Sequence, residues 1–168
     1  MIAALPALSG ASDDVRSYDL VWILHLVGDA HQPLHAVGRF TASIPSGTLA
    51  ATPNPSPATG EAIALHAYWD RIFGGYSSPF GAVFDADAND GIANIRINKI
   101  AAQISDPEAW INESAELAKQ FAYAPPVSTG TNAVLLTREY ETNARNIARS
   151  QAALAAARLA NLINNALK

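Results

Sequence analysis

From Tyr18 to Val27 the chain is apolar except at Asp19 and His25, and Ser12-Asp13-Asp14 ahead of it has the character of a helix N-cap and acidic first turn. The pattern predicts a helix that opens at Ser12 and ends near Gly28. Its apolar run is too short to cross a bilayer and contains His25, so it reads as a core helix. Pro33, which has no backbone N–H to donate, predicts a bend. Between Ser43 and Gly60, Pro45, Pro53, Pro55 and Pro57 stand among Ser, Thr and Ala, which predicts a long irregular loop. Leu65, Trp69 and Ile72 then fall on one helical face within Glu61–Phe73, a helix expected to stop at Gly74-Gly75. Tyr76–Ala88 reads as loop. Asp90 is a candidate cap for a helix carrying Ile92, Ile95, Ile100 and Ile104, and Asp106-Pro107-Glu108 starts another with Trp110, Leu117 and Phe121 in a stripe. Leu135–Leu167 is alanine-rich and free of Gly and Pro, which predicts one long helix, broken at most once, with Ile147, Leu154, Leu159, Leu162 and Ile163 inward. No stretch alternates long enough for a sheet. The fold class expected is all-α, about five helices in one domain spanning 1–168.

Charge and composition narrow the chemistry. A net charge of -4 leaves no basic surface to hold a polyanion by phosphate neutralisation alone, so a nucleic-acid substrate would have to be gripped by metal. The chain has no cysteine, which excludes thiolate zinc sites and disulfides. Any zinc must be held by nitrogen and oxygen. The apolar start Met1–Gly10 lacks the basic leading residues of a signal peptide, and no membrane span follows it.

The candidate chemistry is concentrated. Leu24-His25-Leu26-Val27-Gly28-Asp29-Ala30-His31-Gln32-Pro33-Leu34-His35 holds three of the chain's four histidines, and the fourth lies in His66-Ala67-Tyr68-Trp69-Asp70. On a helix, residues four apart stand one above the other, so His25 with Asp29 and His66 with Asp70 each present two metal ligands on one face. Pro33 offers a way to turn His35 toward a second position. A lone histidine among apolar residues is usually a hydrogen-bonded core side chain, and that reading is kept for His31. The clustering of the others points to a metal site of His25, Asp29, His35, His66 and Asp70. Glu113 and Glu116 read as solvated rather than catalytic. Imidazole and carboxylate ligands suit zinc, which acidifies water to give a nucleophile near neutral pH and neutralises an anionic phosphodiester.

The order His-Leu-Val-Gly-Asp-Ala-His-Gln-Pro-Leu-His followed by Leu-His-Ala-Tyr-Trp-Asp resembles the zinc-dependent single-strand nucleases of the S-one/P-one family, which share a helical fold with zinc phospholipase C. In phospholipase C a glutamate commonly stands at the position of Asp70, so Asp70 and the Gln-Pro-Leu tripeptide favour the nuclease. Trp110 to Ser114 fits the family's Trp-x-x-Glu-Ser. The resemblance implies an all-helical domain with three zinc ions in a cleft. It makes His25 a ligand of the buried zinc, Asp29 the catalytic carboxylate bridging the close pair, and His35, His66 and Asp70 the protein ligands of the third zinc. It makes His31 a motif residue that is not a ligand. Arg39 could add a charge. The activity implied is endonucleolytic cleavage of single-stranded DNA or RNA to 5'-phosphorylated products, by a secreted or periplasmic protein.

Two departures qualify that expectation. The family's early ligands have no counterpart here, so 1–168 corresponds to the later part of the family's domain, about one zinc is expected, and cleavage by this polypeptide alone is expected to be negligible. The family's Asp-x-Gly-Gly-Asn signature is also absent from the loop. Gly47–Thr52 can be encoded so that a shifted frame reads Asp-Ala-Gly-Gly-Asn, which leaves 43–60 open between a frameshifted segment and a natural insertion. Two alternatives stand beside the nuclease: a phospholipase C-like hydrolase, for which Tyr68, Trp69 and Phe73 would have to line a lipid pocket, and a non-catalytic zinc-binding remnant.

Overall fold

The computed structural model of the protein describes residues 10–38, 53–55, 62–127 and 134–166. Helix α1 (Asp13–Ala30) begins where Ser12 accepts a hydrogen bond from the Val15 amide, with Asp13 and Asp14 against the positive helix end. A single 3-10 turn, Pro33–His35, follows it. Strand β1 (Pro53–Pro55) pairs antiparallel with β2 (Ala62–Ala64), which runs into α2 (Leu65–Asp70). Then come α3 (Pro79–Asp87), a 3-10 turn at Ile92–Asn94, α4 (Lys99–Ala102), and α5 (Pro107–Leu117), which continues into a π turn at Ala118–Ala122. The chain closes with α6 (Arg138–Ala166), one unbroken helix of 29 residues.

Helix α6 is the spine. Its N-terminal half, through Tyr140, Ala144 and Ala148, packs on a core of Leu34, Leu65, Trp69, Ile72 and Ala118. Its C-terminal half, through Ala155 and Leu162, packs on Ile23 and Val27 of α1 and Trp110 of α5. The residues that lead into the histidine-rich segment and those that follow it are therefore tied to one rigid element.

The helical expectation holds, and several boundaries move. Prolines were expected to keep Ser43–Gly60 irregular, yet Pro53 and Pro55 form a strand. A short ladder tolerates them because donors are needed only at alternate residues, and the prolines are two apart around Asn54. The remainder of that stretch, Arg39, Glu61 and the apolar start lie outside the described residues. Helix α2 begins at Leu65 and stops at Asp70, ahead of Gly74 at φ +89°, although Leu65, Trp69 and Ile72 are all buried as expected.

Tyr76–Ala88 is largely helix rather than loop. The Ser78 hydroxyl accepts from the Gly81 amide, and Pro79 sits in the first turn where its missing N–H costs nothing. Asp90 caps no helix. The chain instead turns at Gly91, where a Cβ would collide with the Ala86 carbonyl oxygen, and α4 is capped by Asn98.

Helix α1 is not the core helix its sequence suggested. Ile23 and Val27 are buried, while Tyr18, Val21, Trp22, Leu24 and Leu26 are exposed, because the described elements pack against one side of it only. On α6 the innermost positions go to alanines, with Leu162 buried and Ile147, Leu154, Leu159 and Ile163 half-buried.

Candidate metal centre

The last turn of α1 and the turn after it set the geometry. His25 and Asp29 are one helical turn apart, which brings His25 Nε2 to 3.1 Å from Asp29 Oδ2. The other carboxylate oxygen, Oδ1, lies 3.3 Å from His35 Nδ1. Asp29 thus stands between two imidazoles with one oxygen toward each. His35 reaches it because Gln32, at the head of the 3-10 turn, caps that turn by accepting from the Leu34 amide, while Pro33 and Leu34 are buried beneath.

Helix α2 supplies the opposing donors. His66 Nε2 is 3.4 Å from Asp70 Oδ2 and His35 Nε2 is 3.2 Å from Asp70 Oδ1, with the two imidazole rings stacked at 4.9 Å. His35, His66 and Asp70 offer ligand atoms that all lie within 4.8 Å of one another. Zinc bonds to nitrogen and oxygen of about 2.0–2.1 Å imply a tetrahedral edge of about 3.3 Å, longer than the usual hydrogen bond. Two imidazole nitrogens and a carboxylate at these separations can hold a divalent metal. Gln32 Nε2 donates to Asp70 Oδ1 at 2.8 Å and so holds the carboxylate that both histidines face. That contact spans 38 residues and had no trace in the spacing of the motifs.

His31 is placed differently. It is buried, its Nδ1 donates to the Val27 carbonyl at 2.7 Å, and its Nε2 accepts from Arg158 at 2.9 Å. An arginine has only donors, which fixes the tautomer. Burial, with the Arg158 cation adding to it, holds His31 below the ordinary histidine range, against the pull of the Val27 carbonyl. With both nitrogens taken, His31 has no lone pair to offer a metal.

Arg158 itself is buried in the middle of α6. It makes a two-pronged pair with Glu113, at 2.7 and 3.0 Å, donates from Nε to the Ala101 carbonyl, and lies over the Trp110 ring. Glu113 is therefore not a merely solvated acid, as its sequence position suggested, although Glu116 is: it meets only Lys119 at the surface. The missed signal was Arg158, a cation on the same stripe as Leu154, Ala155 and Leu162, where it needs a buried partner.

A cleft of about 510 Å³ opens beside the donors, with Asp29, Gln32, Asp70 and Phe73 on one side and the small residues Ala148, Ala152 and Ala155 of α6 on the other. Its size suits a nucleotide-sized ligand. Gln151 also lines it, and its Oε1 is buried with no hydrogen-bond partner among the described residues. Of the aromatic residues that a lipid pocket would require, Phe73 and Trp69 both border this cleft, but Trp69 is buried and donates to the Tyr140 hydroxyl, and Tyr68 is half-buried against Tyr140. Among the described residues no helix is long and apolar enough to cross a membrane.

Neither a search of curated proteins nor a search of solved structures gives a match to the chain. A protein-family model does: the one described as S1/P1 Nuclease matches residues 3–168. With nearly its whole length matched, the chain belongs to the S1/P1 nuclease family, whose members are hydrolytic enzymes acting on nucleic acids.

Proposed function

We propose that the protein is a zinc-dependent phosphodiester hydrolase acting on single-stranded DNA or RNA, with His35, His66 and Asp70 holding one zinc ion and His25 and Asp29 contributing to a second position. The convergence of two imidazole Nε2 atoms on the Asp70 carboxylate carries this reading. Nitrogen and oxygen donors in a chain without cysteine suit zinc, and the donor side chains are 23–62% exposed, as a site that receives a polymer requires. Zinc bound there supplies Lewis acidity to a phosphodiester whose own charge repels nucleophiles.

The protein's residues do the positioning. Gln32 fixes Asp70, and Asp29 fixes the His35 ring through Nδ1 while facing His25 with its other oxygen. The cleft lined by Phe73 and Gln151 is placed to receive the nucleotide next to the scissile phosphate, with 5'-phosphorylated ends as the product. The protein acts as a single domain outside the cytoplasm, secreted or periplasmic as its family generally is.

The test is binding under metal control. Zinc-loaded protein should bind a single-stranded oligonucleotide, release it on chelation, and neither bind nor hydrolyse phosphatidylcholine vesicles. Oligonucleotide binding that survives chelation, or lipid hydrolysis, would overturn the proposal. Cleavage by residues 1–168 alone should be negligible, since among the described residues the second position has just His25 and Asp29, and loss of even indirect metal partners costs tenfold or more. Robust chelator-sensitive cleavage by this polypeptide would show that those donors suffice.

A further inference from the structure

Resting on the metal-site reading above, we infer that Trp110, Glu113 and Ser114 of α5 together with Arg158 of α6 are positioning residues that hold the ligand-bearing turn Asp29–His35 in register. Trp110, Ser114 and Arg158 reach the two residues that follow Asp29, and Glu113 acts through Arg158. The Ser114 hydroxyl, fully buried, donates to the Ala30 carbonyl at 2.7 Å. Arg158 donates to His31 Nε2, and the Trp110 ring lies 5.3 Å from the His31 ring, centroid to centroid. Glu113 aims the guanidinium by its two-pronged pair. The Trp-x-x-Glu-Ser run, which lies outside both histidine motifs, thereby acquires a task at the metal site.

The physical need is plain. A helix C-terminus frays, and its last carbonyls have no partner within the helix. Here two of them are taken, Val27 by His31 Nδ1 and Ala30 by Ser114, just where the chain must deliver Asp29 at the helix end and His35 one 3-10 turn later. A metal site tolerates displacements of only about 0.5 Å. Apolar residues of similar volume would fill the same space and often stabilise a fold as well as a buried ion pair does. A buried cation whose reach ends on His31 is explained by the position it enforces.

Cobalt(II) titration of the whole chain, read by the visible ligand-field bands, tests this independently of turnover. Ser114→Ala and Arg158→Met should weaken cobalt binding about tenfold or more and alter the bands, while thermal unfolding stays cooperative. Arg158→Lys should recover part of the affinity, since one donor toward His31 survives. Glu116→Gln, which touches only the surface pair with Lys119, should change neither affinity nor bands. If Arg158→Met does not fold, Ser114→Ala and Glu113→Gln carry the test. Folded variants with wild-type cobalt affinity and wild-type bands would overturn the inference. A wild-type chain that binds no cobalt and no zinc would instead sink the metal-site reading itself.

Discussion

His31 and His35 sit four residues apart on one turn and belong to opposite kinds of environment. Around His31 the network is dry at its centre, where Arg158 is 1% exposed, and reaches the surface at Glu113; the contacts among His31, Arg158 and Glu113 are 2.7–3.0 Å, the lengths of satisfied hydrogen bonds. Around His35 the cluster is open, and the separations of 3.2 and 3.4 Å from the Asp70 oxygens to His35 Nε2 and His66 Nε2 suit atoms that share a third partner. The same residue types, histidine and carboxylate, therefore form a scaffold in one case and, in the proposed site, an open donor set in the other. What decides is whether each lone pair already has a proton to accept.

That contrast can be broken most severely at the open cluster. Wild-type protein should bind about one equivalent of zinc tightly, because His35, His66 and Asp70 are the three-donor group among the described residues. His66→Ala should abolish tight binding, whereas His31→Ala should keep the stoichiometry at saturating zinc even where its affinity falls. Metal analysis after dialysis measures both, and three equivalents in the wild type, or equal losses in the two variants, would refute the division. The dry network should answer to denaturant instead. Trp110 is 1% exposed, packs on His31 and Arg158, and donates from its indole to the Ile104 carbonyl, so Trp110→Ala should cost about 3–5 kcal/mol in urea unfolding. A loss under about 1 kcal/mol would mean that the network is not part of the core.

Much of this was legible where the governing forces are local. Ser12, Asp106-Pro107 and the Gly/Pro-free run after Leu135 marked α1, α5 and α6, since caps and backbone propensity act within a turn. Helix α3 was missed because glycine, proline and serine around Ser78 outweighed the cap they form, and no residue of α3 is buried to give a periodic signal. The His-xxx-Asp spacings were legible for the same local reason. The meeting of His35 with Asp70, and Gln32's grip on that carboxylate, depend on how α2 docks against the turn, which no spacing encodes. Glu113 was misjudged because its own surroundings in sequence look solvated. Its partner lies 45 residues away, and only a buried arginine in an otherwise apolar stripe announced that an acid was needed beside it.

A second dry network lies beneath α2 and yields the smallest effect. Trp69, next to Asp70 of the proposed site, donates from Nε1 to the Tyr140 hydroxyl at 3.1 Å, and that hydroxyl donates to the Ala122 carbonyl at 2.8 Å. Burial raises the Tyr140 pKa, with the hydrogen bond from the Trp69 indole opposing it. The sign follows from proton counting. Below the ordinary tyrosine pKa of about 10, folded and unfolded chains both keep the proton and the stabilisation is complete. Above it the unfolded chain releases the proton while the folded one retains it, so stability should fall by up to about 1.4 kcal/mol per pH unit as pH climbs toward the folded value. Tyr68, pushed up to about 12 by burial, adds a contribution of the same sign. Tyr140→Phe should cost about 1–3 kcal/mol near neutral pH by stranding the Trp69 indole and the Ala122 carbonyl, and should flatten the alkaline limb relative to wild type. Urea midpoints measured from pH 8 to 11 decide the matter: parallel limbs in the two proteins would show that Tyr140 ionises as freely in the fold as out of it, and that the layer beneath Asp70 is wetter than its hydrogen bonds imply.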